Sequence, residues 1–214
     1  MQIYNDSRPR WLGAGAGPVH TAQTGVFAAT RIATNDGWKA ANDINVGDLV
    51  LTYDAGMLPV CGVNVHSLDP ALTGVNPCDW PLFIPAGALG NLADFIVMPG
   101  QAALVESSLA ADLLGQATVF IRAADLDSVA GVFRVSPTEE VDVAVLQFVQ
   151  PQVIFGAGGA LFGCAGLGDE PGIFSRSDQA KYPVLTASEA DLVLSHEIAP
   201  AGAGITQAAG HPTA

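Results

Sequence analysis

Ile44-Asn-Val-Gly-Asp-Leu-Val-Leu-Thr-Tyr-Asp54 is the stretch whose reading decides the fold. Gly47 supplies a permissive backbone and Asp48 a capping carboxylate, so Val46-Gly47-Asp48 reads as a turn between paired strands. Leu49 to Tyr53 is an apolar, β-branched run that stops at Asp54-Ala-Gly56, and Leu58 to Val65 predicts the next strand. Upstream, Arg31-Ile-Ala-Thr34 stops at Asn35-Asp-Gly37, a tight-turn signal leading into Trp38-Lys-Ala.

The same grammar continues downstream. Strands are predicted at Phe95–Met98, Ala102–Glu106, Val119–Arg122, Gly131–Val135, Val141–Val149 and Gln152–Phe155. Helical signals are short, at Pro85–Leu89, Ser107–Leu114 and Ala187–Ser195. Many short strands divided by Gly and Pro turns predict an all-β sandwich or barrel-like domain. The organisation expected is an arm over 1–24, a β domain over 25–160, and a C-terminal extension over 161–214 with a short helix and a Gly/Ala-rich tail. Residues 156–172 hold seven glycines. They match neither GxGxxG nor GxxxxGK[ST] and have no nearby lysine, so a turn-rich loop is expected rather than a phosphate cradle.

Composition narrows the function classes. Eight Lys and Arg stand against 21 Asp and Glu, for a net charge of −13. Nucleic-acid binding needs clustered cations, so neither a nucleic acid nor an anionic membrane is an expected partner. Only 14% of residues are charged. That is low for a lone soluble monomer and predicts surface covered by other subunits, as a homo-oligomer or within a larger assembly. Met1-Gln-Ile-Tyr-Asn-Asp lacks the basic and apolar regions of a secretory signal, so no Sec export is expected and the location expected is cytoplasmic, whether in a particle assembled there or otherwise. Cys61, Cys78 and Cys164 are widely spaced and read as small buried hydrophobes; a Cys61–Cys78 bridge stays open as the minor alternative.

Val26-Phe-Ala-Ala-Thr-Arg-Ile-Ala-Thr-Asn-Asp-Gly-Trp38, followed by the Ile44–Asp54 stretch, resembles the opening of bacterial Hint (hedgehog/intein) domains. That family reads approximately Cys-Phe-x-x-Gly-Thr-x-Ile-x-Thr-x-x-Gly, then x-Val-Gly-Asp-x-Val-x-Thr-x-Asp. Further pieces follow in order: Pro85-Ala-Gly-Ala-Leu-Gly90, Phe95-Ile-Val-Met-Pro-Gly-Gln-Ala-Ala-Leu104, Val119-Phe-Ile-Arg-Ala-Ala-Asp-Leu126, the Val141–Gly158 block and Tyr182–Ala190. The resemblance implies a compact Hint-like β domain. Trp38 matches a position where the family carries a large residue, and a core role is expected for it.

The resemblance also implies which positions would carry self-processing. A Cys or Ser nucleophile attacks its preceding carbonyl, and a Thr/Ser-x-x-His pair polarises the scissile peptide. In this chain the nucleophile position falls on Val26, or on Gly25 if the gap before Thr30 is placed elsewhere. The Ser/Thr-x-x-His site becomes Met98-Pro-Gly-Gln101, and the two downstream histidines fall on Val145 and Pro151. Catalytic residues are therefore expected to be absent, with no cofactor and no metal. Asp125 and Asp127 are too few for a calcium site. The histidines (His20, His66, His196, His211) lack i+2 to i+4 partners, and Ser175 and Ser177 lack a nearby histidine.

The reading that follows is a non-enzymatic Hint-like module serving as an assembly subunit, with a virion or phage-like particle as its setting. Trp11, with Arg8 and Arg10 beside it, is the candidate anchor into a neighbouring subunit. Two other classes stay open: residual self-processing through Thr24 or Thr30, and binding of a small ligand or glycan.

Overall fold

The turn at Val46-Gly47-Asp48 forms as its residues dictate. A computed structural model describes residues 24–70, 76–168 and 181–197. Gly47 takes φ 95°, and its N–H donates to Val60 O at 2.8 Å. Asp48 Oδ2 accepts the Asn45 N–H at 2.9 Å and the Lys39 ammonium at 2.6 Å. These two donors hold the Asp48 carboxyl below its ordinary range, the lysine having the larger effect.

Fourteen strands and two α-helices occur among the described residues. The first sheet contains β1 (Val26–Phe27), β6 (Gly62–Leu68), β7 (Leu82–Ile84), β8 (Phe95–Val97), β11 (Phe133–Arg134) and β12 (Val141–Gln147), in the order β11-β7-β8-β1-β12-β6. The second contains β2 (Arg31–Thr34), β3 (Gly37–Ala40), β4 (Leu49–Thr52), β5 (Gly56–Pro59), β9 (Ala102–Glu106), β10 (Thr118–Arg122), β13 (Gln152–Phe155) and β14 (Leu161–Cys164). Its order is β10-β9-β14-β13-β4-β2-β3, with β5 on β4. All the strand pairings are antiparallel. The all-β prediction holds.

Three local expectations need correction. The single strand expected over Leu58–Val65 is two, because the chain changes sheets at Val60-Cys61: β5 pairs with β4, whereas β6 pairs with β12 over seven residues. Pro85–Leu89 is a turn, not a helix. Asn91 organises it, accepting the Leu89 N–H at 3.0 Å and donating to Pro85 O and Ala93 O at 2.9 and 2.8 Å. The glycine-rich stretch is not loop throughout, since Leu161–Cys164 forms β14 between β9 and β13. Gly156 admits the ring of Phe162, which a Cβ there would meet at 2.4 Å.

The main core fills the space between the sheets with Ile32, Val50, Ile84, Ile121, Leu146 and Phe148, all at most 3% exposed. Phe95 of β8 meets Phe162 of β14 edge to face at 5.3 Å, locking one sheet to the other. Each such ring contributes about 1.5–3 kcal/mol by leaving water. Trp38 is not core: it is 50% exposed, opposite Ala33. Ile32, Thr34, Val50 and Thr52 turn inward, so Trp38, Leu49, Leu51 and Met57 share the outward face of this corner.

The helices sit at one end. Ser107 caps α1 (Ser108–Leu114) through Ala110 N–H at 3.1 Å, and Gly115 ends it at φ 72°. α2 (Ala187–Glu197) begins with a capping box: Glu189 Oε2 accepts from Thr186 N–H at 2.7 Å, and Thr186 Oγ1 accepts from Glu189 N–H at 3.3 Å. The segment before α2 covers the free edge of β10, since Phe120 N–H donates to Pro183 O and Leu185 N–H to Phe120 O. Asp54 pins its start, accepting from Lys181 Nζ at 2.6 Å and Tyr182 OH at 2.7 Å.

Candidate functional site

The positions that the sequence analysis singles out begin at Gly25, the residue before β1. β1 lies between β8 and β12, with Val26 facing Val97 on one side and Ala144 on the other. This central placement fixes what surrounds Gly25. Its carbonyl accepts the Met98 N–H at 3.1 Å, and Met98 O accepts the Gln101 N–H at 2.9 Å, closing the turn after β8.

Gln101 is 5% exposed, and its carboxamide is paired on both sides. Oε1 accepts the Gly25 N–H at 3.2 Å, while Nε2 donates to Ala102 O and Gly163 O, each at 2.9 Å. The orientation of the amide follows from its partners: one can only donate and two can only accept. One side chain thus ties the start of β1 to β9 and β14. It carries no titrating proton.

The backbone of Gly25 takes φ 125°. A Cβ there would lie 2.6 Å from Val143 Cγ1, 2.9 Å from Ala144 O and 3.1 Å from Val145 Cγ2. Glycine is required twice over, by its dihedral and by its neighbours. Beside it a cavity of about 20 Å³, room for one water, is lined by Thr24, Val26, Gln101, Val145 and Cys164 among others. No His, Asp, Glu, Lys or Arg lines this cavity. Its one thiol, Cys164, is buried, and loss of hydration pushes its pKa up to about 12. A thiol at that value is almost wholly un-ionised at neutral pH and is a poor nucleophile.

A family model described as the Hint domain matches residues 25–161 of this chain. The chain belongs to the Hint domain family. Among solved structures it is similar to the bacterial intein-like domain of Clostridium thermocellum, at 15% identity over 65% of this chain and 97% of that one, TM-score 0.46. It is also similar to a splice-inactive variant of the AceL NrdHF class 3 split intein, at 14% identity over 66% and 97%, TM-score 0.45, and to the MchDnaB-1 intein, at 13% over 65% and 98%, TM-score 0.40. No curated protein matches.

Within this Hint domain, Gly25, Val26, Met98, Gln101 and Val145 come together at the junction of β1, the β8–β9 turn and β12. Pro151 does not join them; it is exposed in the turn between β12 and β13. Between the two placements left open at the start of β1, Gly25 is the residue whose N–H Gln101 holds. Gly163 and Cys164 complete the site and were not singled out for it, because a glycine-rich reading of 156–172 conceals a strand. The short apolar run Leu161-Phe162-Gly163-Cys164 is the available signal.

The remaining candidates lie elsewhere. Asp125 and Asp127 are each engaged by an arginine: Asp125 Oδ2 accepts from Arg122 Nε at 3.0 Å, and Asp127 Oδ2 from Arg134 Nη2 at 2.8 Å. Among the described residues no three His, Cys, Asp or Glu side chains are grouped to hold a metal ion. His66 is on β6 and His196 in the last turn of α2. Cys61, Cys78 and Cys164 are all free thiols, so the Cys61–Cys78 bridge is not formed. No helix among the described residues is long and apolar enough to cross a membrane. Arg8, Arg10, Trp11, His20, Ser175, Ser177 and His211 lie outside the described residues.

Proposed function

We propose that this Hint domain does not cleave its own backbone and serves as a structural module that holds a partner. The observation that carries the reading is the environment of Gly25. The resemblance puts a nucleophile at Val26 or at Gly25: Val26 is a buried hydrocarbon side chain, and a side chain at Gly25 would overlap Val143 and the Ala144 carbonyl. The group facing it, Gln101, is a saturated hydrogen-bond clamp rather than an acid or base. The low proportion of charge and the outward apolar corner of Trp38, Leu49, Leu51 and Met57 support a protein that works by contact with other subunits. A repeating particle of viral or phage type is the setting this reading would fit.

Residual self-processing through Thr24 has less support. Thr24 lines the cavity, but a hydroxyl nucleophile needs a base, and the cavity walls supply none. Thr30 sits in the turn after β1, where its N–H donates to Phe27 O and its carbonyl accepts from Ala41 N–H. A glycan or small-ligand site would need a pocket of about 300–1,000 Å³, far larger than the cavity beside Gln101. Intact mass spectrometry of the purified chain, incubated with thiol or hydroxylamine, tests the reading. The expected mass is that of the full 214 residues throughout; a fragment ending at residue 23, 24, 25 or 29 would overturn it.

A further inference from the structure

The edges of the two sheets are treated unequally. Edge strands expose unpaired N–H and C=O groups that recruit other strands, and proteins blunt them by shortening, charging, proline or a cover. β11 has two residues, one of them Arg134. β3 carries Lys39, β5 ends in Pro59, and β10 is covered by the segment through Pro183 and Leu185. Among the described residues β6 has none of these devices. Its seven residues, Gly62-Val-Asn-Val-His-Ser-Leu68, include no Asp, Glu, Lys, Arg or Pro. They pair in continuous register with β12 on one side, and among the described residues no strand lies on the other.

We propose that β6 is a dimerisation edge, pairing antiparallel with β6 of a second copy about a two-fold axis at Val65. The inference specifies the contact surface of the assembly reading above and rests on that reading. Two arguments favour a second copy over an unrelated strand. A protein of net charge −13 repels itself over most of its surface, so a self-contact must form where charge is lacking, and β6 is such a strip. Second, the two-fold register makes only compatible pairs: Val65 with Val65, Asn64 with His66, Val63 with Ser67 and Gly62 with Leu68. Val65, 43% exposed in the single chain, would be covered by its own counterpart. The carboxylate that β12 sets opposite this strand, Asp142, is already engaged by Ser67 Oγ at 2.6 Å. Continuing a sheet through a free edge is a recurrent recognition mode in which the main chain gives affinity and alternate side chains give specificity.

The test is light scattering on the full chain over a concentration series, with hydrogen exchange of the β6 amides read alongside. The wild type is expected to reach twice the 21.9 kDa chain mass, with β6 amides slowing as the dimer fills. Val65→Lys, which sets two like charges on the axis, should weaken the dimer at least tenfold while keeping the wild-type circular dichroism; Val65→Thr should still dimerise. Association undiminished in Val65→Lys, or a dimer whose β6 amides exchange as in the monomer, overturns the edge and leaves the assembly reading standing. A wild type monomeric throughout overturns both, and slow β6 exchange in that monomer would place part of the same chain on the edge. The non-cleaving reading is judged separately, by intact mass.

Discussion

Gln101 and Gly25, 76 residues apart, are joined by one buried hydrogen bond of 3.2 Å from the Gly25 N–H to Gln101 Oε1. The same carboxamide donates to carbonyls of Ala102 and Gly163, so three backbone groups depend on it. Gln101→Ala removes all three partners and leaves a void. A loss on the order of 3 kcal/mol is expected in urea unfolding, since each buried group left unpaired costs about 1–3 kcal/mol.

Gln101→Glu separates polarity from shape. The introduced carboxylate would face two carbonyl acceptors in a buried site, which favours its protonated form and raises its folded-state pKa above the unfolded value. The folded state then binds the extra proton, so stability falls as pH rises through the range above the unfolded glutamate value. Relative to wild type, Gln101→Glu should lose more stability at pH 8 than at pH 5. Equal differences at the two values would show that Gln101 is not held against those carbonyls.

A thiol introduced at residue 25 should not confer self-cleavage. Gly25→Ala and Gly25→Cys both introduce a Cβ against Val143 Cγ1 and Ala144 O at a φ of 125°. Overpacking of this kind costs about 1–3 kcal/mol, before the cost of the strained dihedral. Val143→Ala should recover part of that loss in the Gly25→Ala background, because it removes the nearer of the two contacts. Intact mass of Gly25→Cys should remain that of an uncut chain, since Gln101 cannot relay a proton.

Asp48 offers a test of the turn that organises the first hairpins. Its folded-state pKa is depressed, by Lys39 first and the Asn45 N–H second. Its contribution is therefore present above the ordinary value of 3.8 and is lost as pH falls through the lower folded value. Asp48→Asn should be destabilised relative to wild type at pH 7, and the gap should close under acid. Salt should narrow the gap at pH 7, because the Lys39–Asp48 pair is partly exposed.

This turn was legible because its residues act locally: Gly47 for the dihedral and Asp48 for the cap. β9 and β13 were also read to the residue, from apolar runs bounded by turn signals. What escaped were features set by distant chain. β14 hides among glycines, of which Gly156 admits Phe162. Trp38 looks like core by size, yet the inward positions of its hairpin belong to Ile32 and Thr34. In the site, the non-titrating identities of Gly25, Val26, Met98, Gln101 and Val145 are facts of the sequence itself. The clamp of Gln101 on Gly25 and Gly163 could not, because sequence separations of 76 and 62 residues are closed only by the sheets.

The three cysteines should separate cleanly by reactivity. Alkylation requires both access and thiolate. Cys78 is exposed within the 3-10 turn Pro77–Asp79, and Cys61 is half-buried, with Sγ near Pro59 O at 3.6 Å. Cys164 lacks both requirements, being buried in β14 with its pKa raised to about 12. Iodoacetamide at pH 8, followed by peptide mass spectrometry, should modify Cys78 first, Cys61 more slowly, and Cys164 only at the rate of unfolding. Gln101→Ala should speed labelling of Cys164 specifically, because Gln101 holds the adjacent Gly163 carbonyl and lines the same cavity. Rapid native-state labelling of Cys164 in the wild type would show that β14 opens to solvent and that the site beside Gly25 is not the closed clamp described.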